Sequence, residues 1–425
     1  MTTHTLSRRE TLKLATHLAG WTMAAPVLPA WMPRLAFAPE GVEPAGDVLV
    51  CVFQRGGMDG LNAVIPHGDA DYYRRRPALA IAEPESGSEE TGLDLDGFFG
   101  LHPAMRPLKD VWDDQGLAII HAIGSPDPTH SHFDAMDYME RGTPGEKQIP
   151  TGWIGRHLQT APWQNDSPFR AVGMGGIMQA SLRGPVPVTT LQSIADFHLQ
   201  GRTQDLLSIQ QTLAGLYDLS AGLAPAANET FDAIEILSRI NVNTYTPEGG
   251  AEYPETEYGL ALKQVAQLTK ADVGLEVACV DIGGWDTHAT QGAVEGELPG
   301  LLAEFANGLA ALYHDLGPSG RRKRVTIVTM SEFGRRVYEN GSLGTDHGHG
   351  NVMFVLGGNV NGGKVYGDWP GLAPEKLAGP GDLAITSDFR DVLGEIVQTR
   401  LGNPDHLAEI FPGYTSWNIR GVVRR

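Results

Sequence analysis

The sequence predicts an α/β protein: a three-layer sandwich with a doubly wound, mostly parallel sheet, plus a helical insertion. Five short apolar runs rich in β-branched residues predict strands, because continuous apolar strands suit a sheet that is covered on both faces. Helical spacing between these runs is the second observation, since alternating strands and helices are typical of a parallel sheet. The predicted strands are residues 48–53, 117–120, 277–280, 325–328 and 352–356.

One predicted unit sets the direction of two strands. Apolar residues from Leu301 to Leu316 recur with three-four spacing, which predicts a helix over residues 299–316. This helix separates the predicted strands 277–280 and 325–328. A connection of this length and type crosses over to a parallel strand, so we expect these two strands to run in the same direction.

Residues 200–270 interrupt the alternation of strands and helices. They predict consecutive helices at 206–216, 231–240 and 258–269, with a long surface loop at 244–258 that is rich in Tyr, Pro, Glu and Gly. We therefore expect a helical insertion at about 200–270 that lies over the sheet. The α/β domain as a whole is predicted to span residues 39–425.

The N-terminal segment predicts export. Arg8 and Arg9 precede an apolar stretch at 14–28, and residues 36–38 (Ala-Phe-Ala) offer small residues for a signal peptidase. The arginine pair indicates the twin-arginine (Tat) route. The apolar stretch contains polar residues and is shorter than the ~20 residues of a spanning helix, which disfavours an uncleaved anchor. We expect a signal peptide over 1–38, the Tat translocase as a partner during export, and a periplasmic or secreted protein.

Replacing Arg8 and Arg9 with lysine is expected to leave the precursor uncleaved in the cytoplasm, because the export machinery reads the arginine pair itself. The measurement is the amount of precursor and mature protein in cytoplasmic and periplasmic fractions. Normal export of the lysine variant would show that the chain uses a different route.

The mature chain is strongly acidic. Removal of 1–38 leaves 28 basic residues against 50 acidic ones. Such a surface repels nucleic acid and anionic lipid headgroups, so a nucleic-acid partner is excluded, and no other apolar run is long enough for a stable membrane span. A phosphate or sulfate ester remains possible as a substrate, because a bound cation inverts the local field.

The chain has two cysteines, Cys51 and Cys279, and both lie in predicted buried strands. We interpret them as core thiols. An exported protein's compartment would also permit a disulfide between them.

Candidate functional residues follow the predicted strands, because ligands of doubly wound folds bind beyond the carboxyl ends of the strands. Arg55 and Asp59 follow the first strand in a glycine-rich turn, which alone is a weak signal because such turns are common. Ser131 follows the second strand where helical spacing begins, between His130 and His132. These two histidines are candidate ligands, bases or surface residues.

Ser131 has two interpretations. A hydroxyl at a helix start is most often an N-cap, which accepts a hydrogen bond from its own helix. A helix N-terminus also binds anions and favours a developing oxyanion, so a serine there can be a nucleophile. Thr129 is a second candidate for either role.

Carboxylates and imidazoles cluster after the later strands. A turn with two glycines at 281–288 and a glycine-rich motif at 344–351 carry most of them, and such side chains are ligands for hard-to-borderline metal ions. Each motif alone can also be a turn with an aspartate cap and an exposed histidine. The combined set predicts a metal site formed by Asp59, Asp281, Asp286, His288, Glu332, Asp346, His347 and His349.

Five motifs and the Tat leader together resemble a known bacterial exported family, "domain of unknown function 1501". The motifs occur in the family's order at 57–60, 131–134, 284–288, 331–334 and 345–350, and the resemblance covers nearly the whole mature chain. That family is grouped with the alkaline phosphatase and sulfatase superfamily. The resemblance implies a three-layer α/β sandwich, one or two divalent metals, and attack on phosphate or sulfate esters by Ser, Thr or a modified Cys.

The resemblance also implies roles for particular residues. Asp59 resembles the first metal-binding aspartate, and Ser131 resembles the nucleophile. Asp281 or Asp286, with His288, resembles the second aspartate–histidine metal pair.

One motif departs from the superfamily pattern. Many members have Asp-His-Gly directly after a strand, where this chain has Glu-Phe-Gly at 332–334 and its own Asp-His-Gly later, at 346–348. Either Glu332 replaces the aspartate, with His347 or His349 as the last imidazole, or the whole pair has moved.

We therefore expect a metal-dependent hydrolase of phosphate or sulfate esters that holds one or two ions of Zn²⁺, Mn²⁺ or Ca²⁺. The metal would lower the pKa of the Ser131 hydroxyl, with His132 and Arg55 completing the catalytic set. The expected substrates are small anionic esters or sulfated or phosphorylated glycans. The alternative is a non-catalytic periplasmic protein on the same scaffold that binds a glycan or a partner, which a metal site without a facing hydroxyl would favour.

Overall fold

The structure is a computed structural model that describes residues 47–85, 88–161, 167–195, most of 230–237, and 245–425. The predicted signal peptide and the predicted helix at 206–216 lie outside these residues. Within the predicted insertion, the described residues between 230 and 237 are helical, and Glu257–Lys270 forms a helix, as the sequence predicts. None of the described helices combines the length and the apolar character needed to cross a membrane.

The described elements alternate along most of the chain. The strands are β1 (Val48–Gln54), β2 (Val64–Ile65), β3 (Leu93–Asp94), β4 (Gly100–Leu101), β5 (Leu117–Gly124), β6 (Ala171–Met174), β7 (Thr189–Leu191), β8 (Val277–Ile282), β9 (Val325–Ser331), β10 (Arg335–Glu339), β11 (Thr345–His347), β12 (Asn351–Gly357), β13 (Lys364–Tyr366) and β14 (Ser387–Asp388). The helices are α1 (Gly60–Ala63), α2 (Ala70–Arg75), α3 (Arg106–Asp113), α4 (His132–Arg141), α5 (Trp153–Thr160), α6 (Glu257–Lys270), α7 (Glu297–Asp315), α8 (Phe389–Thr399) and α9 (Leu407–Ile410).

The central sheet contains all five predicted strands. Its order is β13-β5-β12-β9-β1-β8-β6-β7, and β14 also pairs with β5. Every pairing in this sheet is parallel except those of β12, which runs antiparallel to both β5 and β9. The prediction of a mostly parallel sheet is therefore confirmed.

The predicted crossover between two parallel strands is also confirmed. Helix α7 connects β8 to β9, and both strands pair in parallel with β1, which lies between them. In this register Cys51 of β1 lies opposite Cys279 of β8 on one side and Val328 of β9 on the other.

Apolar side chains fill both faces of the sheet. On one face α3, α6 and α7 contribute Leu108, Leu262 and Phe305 to a buried cluster. On the other face α5 and α8 contribute Trp153 and Leu393, and α9 adds to the same cluster. Helices on both sides of one sheet make three layers, as the sequence predicts.

Strand direction brings the candidate motifs to one edge of the sheet. β1, β5, β8 and β9 run the same way, so the turns that follow them meet at their carboxyl ends. β12 runs in the opposite direction, and therefore the residues that precede it reach this same edge. This reversal explains how the motif at 345–350 joins motifs that follow strands.

Candidate metal centre and active site

Three side chains present ligand atoms to one another at this edge. His132, Asp286 and His347 each offer one ligand atom, and the three atoms lie within 4.8 Å of one another. Asp286 Oδ1 is 3.3 Å from His132 Nε2 and 3.1 Å from His347 Nε2. His288 adjoins them, with its Nε2 2.8 Å from His347 Nε2 and 3.1 Å from Asp286 Oδ1. We refer to these four residues as the histidine–aspartate group.

Close backbone contacts hold the loops that carry the group. Gly56 has a φ of +124°, and a Cβ there would lie 2.8 Å from the Asp286 nitrogen. A Cβ on Gly344 would lie 2.3 Å from the carbonyl carbon of His288. Only glycine allows the chain to approach so closely at these two points. The motif glycines thus allow the loops to pack against one another. This packing fixes the positions of Asp286 and His288.

Outer hydrogen bonds orient two of the imidazoles. His132 Nδ1 is 2.7 Å from Glu332 Oε1, and His347 Nδ1 is 2.9 Å from the carbonyl oxygen of His130. Because a carboxylate and a carbonyl only accept, each Nδ1 carries the hydrogen, and the Nε2 of the neutral ring keeps its lone pair. Metal-binding histidines are typically oriented by partners of this kind.

Glu332 and Phe333, which follow β9, contact the imidazoles of the histidine–aspartate group. Glu332 is only 1% exposed, and its Oε1 also accepts from the Gly56 nitrogen at 2.9 Å. Its Oε2 accepts from Ser331 Oγ at 3.2 Å. Phe333 packs against both His132 and His347, with ring centroids 4.9 Å from each. Sequence reasoning assigned Glu332 as a metal ligand, but the structure places it as the partner that orients His132.

A buried arginine, Arg335, completes the site. The Arg335 side chain is fully buried and donates to Asp286 Oδ1 at 2.7 Å. It also donates to the carbonyl oxygen of Trp285 at 2.9 Å. Its position directly after the Glu-Phe-Gly motif was the available signal, but its burial depends on tertiary contacts.

The electrostatics keep Asp286 ionised. Burial would raise the pKa of Asp286, but the hydrogen bond and charge of Arg335, together with the neighbouring imidazoles, outweigh it and lower the pKa to about 2. The hydrogen bond to Glu332 raises the pKa of His132, whereas burial lowers the pKa of His347. The group therefore combines an ionised carboxylate with two imidazoles whose pKa values shift in opposite directions.

The residues present fit a metal ion. His132 Nε2 is buried and has no hydrogen-bond partner among the described residues. A nitrogen lone pair and a carboxylate oxygen repel at 3.3 Å unless a proton or a cation lies between them. Tetrahedral ligands at 2.0–2.1 Å from an ion stand about 3.4 Å apart, close to the distances in this group. His132, Asp286 and His347 can therefore hold one ion. His288 adjoins two of these ligands.

Two predicted ligands are paired with arginines instead. Asp59 is fully buried, and its Oδ2 accepts from Arg76 at 2.5 Å and from Gln291 at 2.7 Å. Asp281 Oδ1 lies 2.9 Å from an Arg55 nitrogen. An arginine pairs with each carboxylate, and both Asp59 and Asp281 lie outside the histidine–aspartate group.

Two further predicted ligands, Asp346 and His349, lie outside the histidine–aspartate group. Asp346 Oδ1 is 3.4 Å from His288 Nδ1 and accepts from Asn340 at 3.0 Å, so it is an outer partner of His288. His349 Nε2 faces the carbonyl oxygens of Ser125 and Asp127, at 2.8 and 3.1 Å. His349 Nε2 therefore contacts backbone carbonyl oxygens and lies outside the histidine–aspartate group.

Ser131 occupies the N-cap position of α4, directly before His132. Its side chain makes no capping hydrogen bond. No capping hydrogen bond therefore supports the interpretation of Ser131 as only a cap. Ser131 stands at the N-terminus of α4, next in sequence to His132.

Arg55, predicted to meet the substrate's anionic oxygens, lies between two carboxylates. It bonds both oxygens of Glu140 at 3.2 Å in addition to its contact with Asp281. Burial would lower the pKa of the guanidinium, but Asp281 and Glu140 outweigh it and raise the pKa. The charge of Arg55 is thus engaged within the protein.

A comparison with protein families identifies the chain's relatives. A family model with the description "Protein of unknown function (DUF1501)" matches residues 47–391. The chain belongs to this family. The DUF1501 match includes all five motifs on which the resemblance rests, so the predicted family is confirmed. Comparison with curated proteins gives no match.

Solved structures that resemble this DUF1501 chain have low sequence identity to it and low TM-scores. The PsFucS1 sulfatase from Pseudoalteromonas sp. is 11% identical with a TM-score of 0.34, over 89% of this chain and 73% of that one. The zinc complex of the C-terminal periplasmic domain of EcEptC from Escherichia coli is 9% identical with a TM-score of 0.38, over 88% and 89%. A protein in the alkaline phosphatase superfamily from Vibrio parahaemolyticus is 10% identical with a TM-score of 0.33, over 73% and 60%. No residue role follows from likenesses this weak.

Replacing Glu332 with glutamine in the DUF1501 chain is expected to weaken metal binding by about 10–100-fold. Donors from Gly56, Ser331 and His132 all point at the two carboxylate oxygens, and an amide would set its NH₂ against one of them. The measurement is a competition titration with a metal chelator. Unchanged affinity in a folded variant would show that Glu332 does not orient a metal ligand.

Replacing Asp59 with asparagine is expected to destabilise the protein by about 3–5 kcal/mol, because it leaves Arg76 as an uncompensated buried charge. Both side chains of this ion pair are 0% exposed. Asp113→Asn is the matched control, since Asp113 pairs with Lys109 at the surface and should cost less than about 1 kcal/mol. Denaturant unfolding gives both values. Loss of metal from a folded Asp59→Asn variant would restore Asp59 as a ligand.

Proposed function

We propose that this DUF1501 protein is an exported, metal-dependent hydrolase of phosphate or sulfate esters. The observation that carries the proposal is the meeting of His132, Asp286 and His347 at the start of α4, where the preceding Ser131 makes no capping hydrogen bond. A cation site, a helix N-terminus and a serine hydroxyl are three features that suit attack on an anionic ester.

The ligands favour Zn²⁺ or Mn²⁺ over Ca²⁺. Two or three imidazole nitrogens and one carboxylate suit the first two ions, whereas Ca²⁺ takes oxygen ligands. A single ion is proposed, because Asp59 and Asp281 are each paired with an arginine and lie outside the histidine–aspartate group. When bound, the metal would polarise the ester and lower the pKa of a nearby hydroxyl.

The chain's own residues supply the rest of the reaction. Ser131 Oγ attacks the phosphorus or sulfur atom, the bond to the leaving oxygen breaks, and the proton of the Ser131 hydroxyl is transferred to that leaving oxygen. Water then cleaves the serine ester and restores the hydroxyl. The N-terminus of α4 carries partial positive charge that favours the ester's anionic oxygens. Glu332 and the His130 carbonyl hold the two imidazoles in one orientation throughout.

Charge restricts the substrate class. The mature surface repels anions generally, so an anionic ester is attracted only where cations are concentrated. A bound metal would provide such a place at the histidine–aspartate group, where Arg335 already neutralises Asp286. Sulfated or phosphorylated glycans and small anionic esters fit this requirement, and an exported location would give access to them.

One observation favours the alternative, a non-catalytic periplasmic protein that binds a glycan or a partner. His288 Nε2 lies close enough to Asp286 and His347 to act as a fourth ligand. Four protein ligands close a tetrahedral ion, as in structural sites, and leave no position for a substrate.

The experiment that tests the proposal is metal analysis of protein purified from the periplasm, followed by a screen of phosphate and sulfate esters. We expect one equivalent of zinc or manganese, and ester hydrolysis that a chelator removes and the metal restores. Bound metal without turnover of any ester would favour the binding protein. Absence of metal from active protein would contradict the proposed mechanism.

A further inference from the structure

Gln291 lies between the two loops that carry three members of the histidine–aspartate group. Its side chain is fully buried. The side-chain oxygen Oε1 accepts a hydrogen bond from Thr287 Oγ1 at 2.9 Å and another from Thr345 Oγ1 at 2.7 Å. Thr287 belongs to the motif at 284–288, and Thr345 begins the motif at 345–350. One buried amide thus bonds to both motifs.

The carboxylate of Asp59 fixes which way the Gln291 amide points. Asp59 Oδ2 lies 2.7 Å from Gln291 Nε2 and also accepts from Arg76. A carboxylate paired with an arginine accepts hydrogen bonds and has none to donate. The NH₂ group of Gln291 must therefore face Asp59, and its carbonyl oxygen must face the two threonines. A single acceptor receives one donor from each loop.

The backbone beside Gln291 has an unfavourable conformation on both loops. Thr290 has a φ of +48°, and Leu343 has a φ of +56°. A positive φ is uncommon for a residue with a side chain and rarer still for a β-branched one, so surrounding contacts must hold it. Hydrogen bonds between the loops do so here: the Gln291 nitrogen donates to the Leu343 oxygen, and the Thr290 nitrogen to the Ser342 oxygen, each at 2.9 Å.

We propose that Gln291 is a positioning residue that holds the two loops together, so that the histidine–aspartate group can converge on one metal ion. Thr287 stands between Asp286 and His288, and a bond at its side chain fixes the backbone from which both project. Thr345 lies on β11 two residues before the last imidazole of the group, on the same face of that strand. This role rests on the proposed metal centre, and its test is independent of ester hydrolysis.

Metal binding by variants of the full exported protein tests this role. The probe is Co²⁺, a spectroscopic substitute for Zn²⁺: competition with a chelator gives its affinity, and its visible absorption reports the coordination geometry. We expect Gln291→Met to weaken Co²⁺ binding by at least about 10-fold and to change the spectrum, because the loops lose their shared acceptor. Thr345→Val keeps the side-chain shape without the hydroxyl and should have the same effect. Thr345→Ser keeps the hydroxyl and should bind Co²⁺ like the wild type.

Gln264→Met is the matched control for loss of a buried amide. Gln264 is 2% exposed, and its amide bonds the backbone of Ile194 and Gln192, which belong to neither loop. We expect this variant to melt at a lower temperature but to keep the wild-type Co²⁺ affinity and spectrum. An equal loss of Co²⁺ in Gln264→Met would show that Gln291→Met acts through general stability, which would overturn the proposal.

Two further results would contradict the role of Gln291 while leaving the metal centre in place. One is wild-type Co²⁺ affinity in folded Gln291→Met and Thr345→Val. The other is an equal loss of affinity in Thr345→Ser and Thr345→Val, since the hydroxyl would then be irrelevant. The Thr345 pair decides the matter if Gln291→Met fails to fold. Absence of Co²⁺ binding in the wild type itself would instead overturn the metal centre, and the role of Gln291 with it.

Discussion

Replacing His347 with alanine is expected to remove the metal ion and to lower ester turnover by more than about 100-fold. Loss of an outer partner of a metal ligand alone costs about 10–100-fold, and loss of a ligand itself should cost more. His347 is a better choice than Asp286, because removal of the aspartate would also leave buried Arg335 without its partner. Metal content and turnover of an ester active with the wild type are the measurements.

His349→Ala is the matched control for this variant. His349 lies in the same motif, two residues away, but bonds the carbonyls of Ser125 and Asp127 instead of the group. We expect it to keep its metal and most of its turnover. The reverse pattern, with metal lost only in His349→Ala, would show that the wrong imidazole has been assigned.

Replacing Ser131 with alanine is expected to leave the fold and the metal intact but to reduce ester turnover by several orders of magnitude. An activated hydroxyl acts as a unit with the group that activates it, so its loss removes the attacking atom. The measurements are turnover, metal content and thermal melting. Because Ser131 makes no capping hydrogen bond, the stability cost should be below the ~1 kcal/mol of a lost cap.

Thr129→Ala separates the two hydroxyls of this segment. Thr129 Oγ1 accepts a hydrogen bond from the Ser131 nitrogen, so its loss should affect the local backbone while leaving the attacking atom in place. We expect a moderate loss of turnover. If Thr129→Ala is inactive while Ser131→Ala melts lower but turns over normally, Thr129 is the nucleophile and Ser131 is a cap.

The sequence predicts the sheet well because its strands are buried on both faces. The apolar runs at β1, β5, β8, β9 and β12 are unmistakable, and the helical spacing of α7 is confirmed. The direction of β12 was not predictable, because a strand buried on both faces has the same apolar pattern whichever way it runs. That direction decides which end of the strand carries site residues.

The site is predictable in part from the positions of motifs at strand ends. Asp286, His288 and His347 meet as the motifs suggest, and Glu332 lies with them in a supporting position. His132 was predicted among the catalytic residues, whereas the structure places its Nε2 with the ligand atoms. The difference arises because Glu332 accepts a hydrogen bond from His132 Nδ1, which leaves Nε2 facing Asp286 and His347.

The remaining differences come from pairings across long stretches of chain. Asp59 is paired with Arg76, and Asp281 with Arg55. A carboxylate after a strand has the same sequence signature whether a metal or a guanidinium neutralises it. Only the tertiary packing places Arg76 and Arg55, which follow α2 and β1, beside these two carboxylates.

The most direct measurement of the central claim is a crystal structure of the metal-loaded protein with anomalous scattering recorded at the metal's absorption edge. We expect one anomalous peak within bonding distance of His132 Nε2, Asp286 and His347 Nε2, with Glu332 still bonded to His132 Nδ1. A peak at Asp59 or Asp281, or none in protein shown to contain the metal stoichiometrically, would contradict the assignment of the histidine–aspartate group as the metal centre.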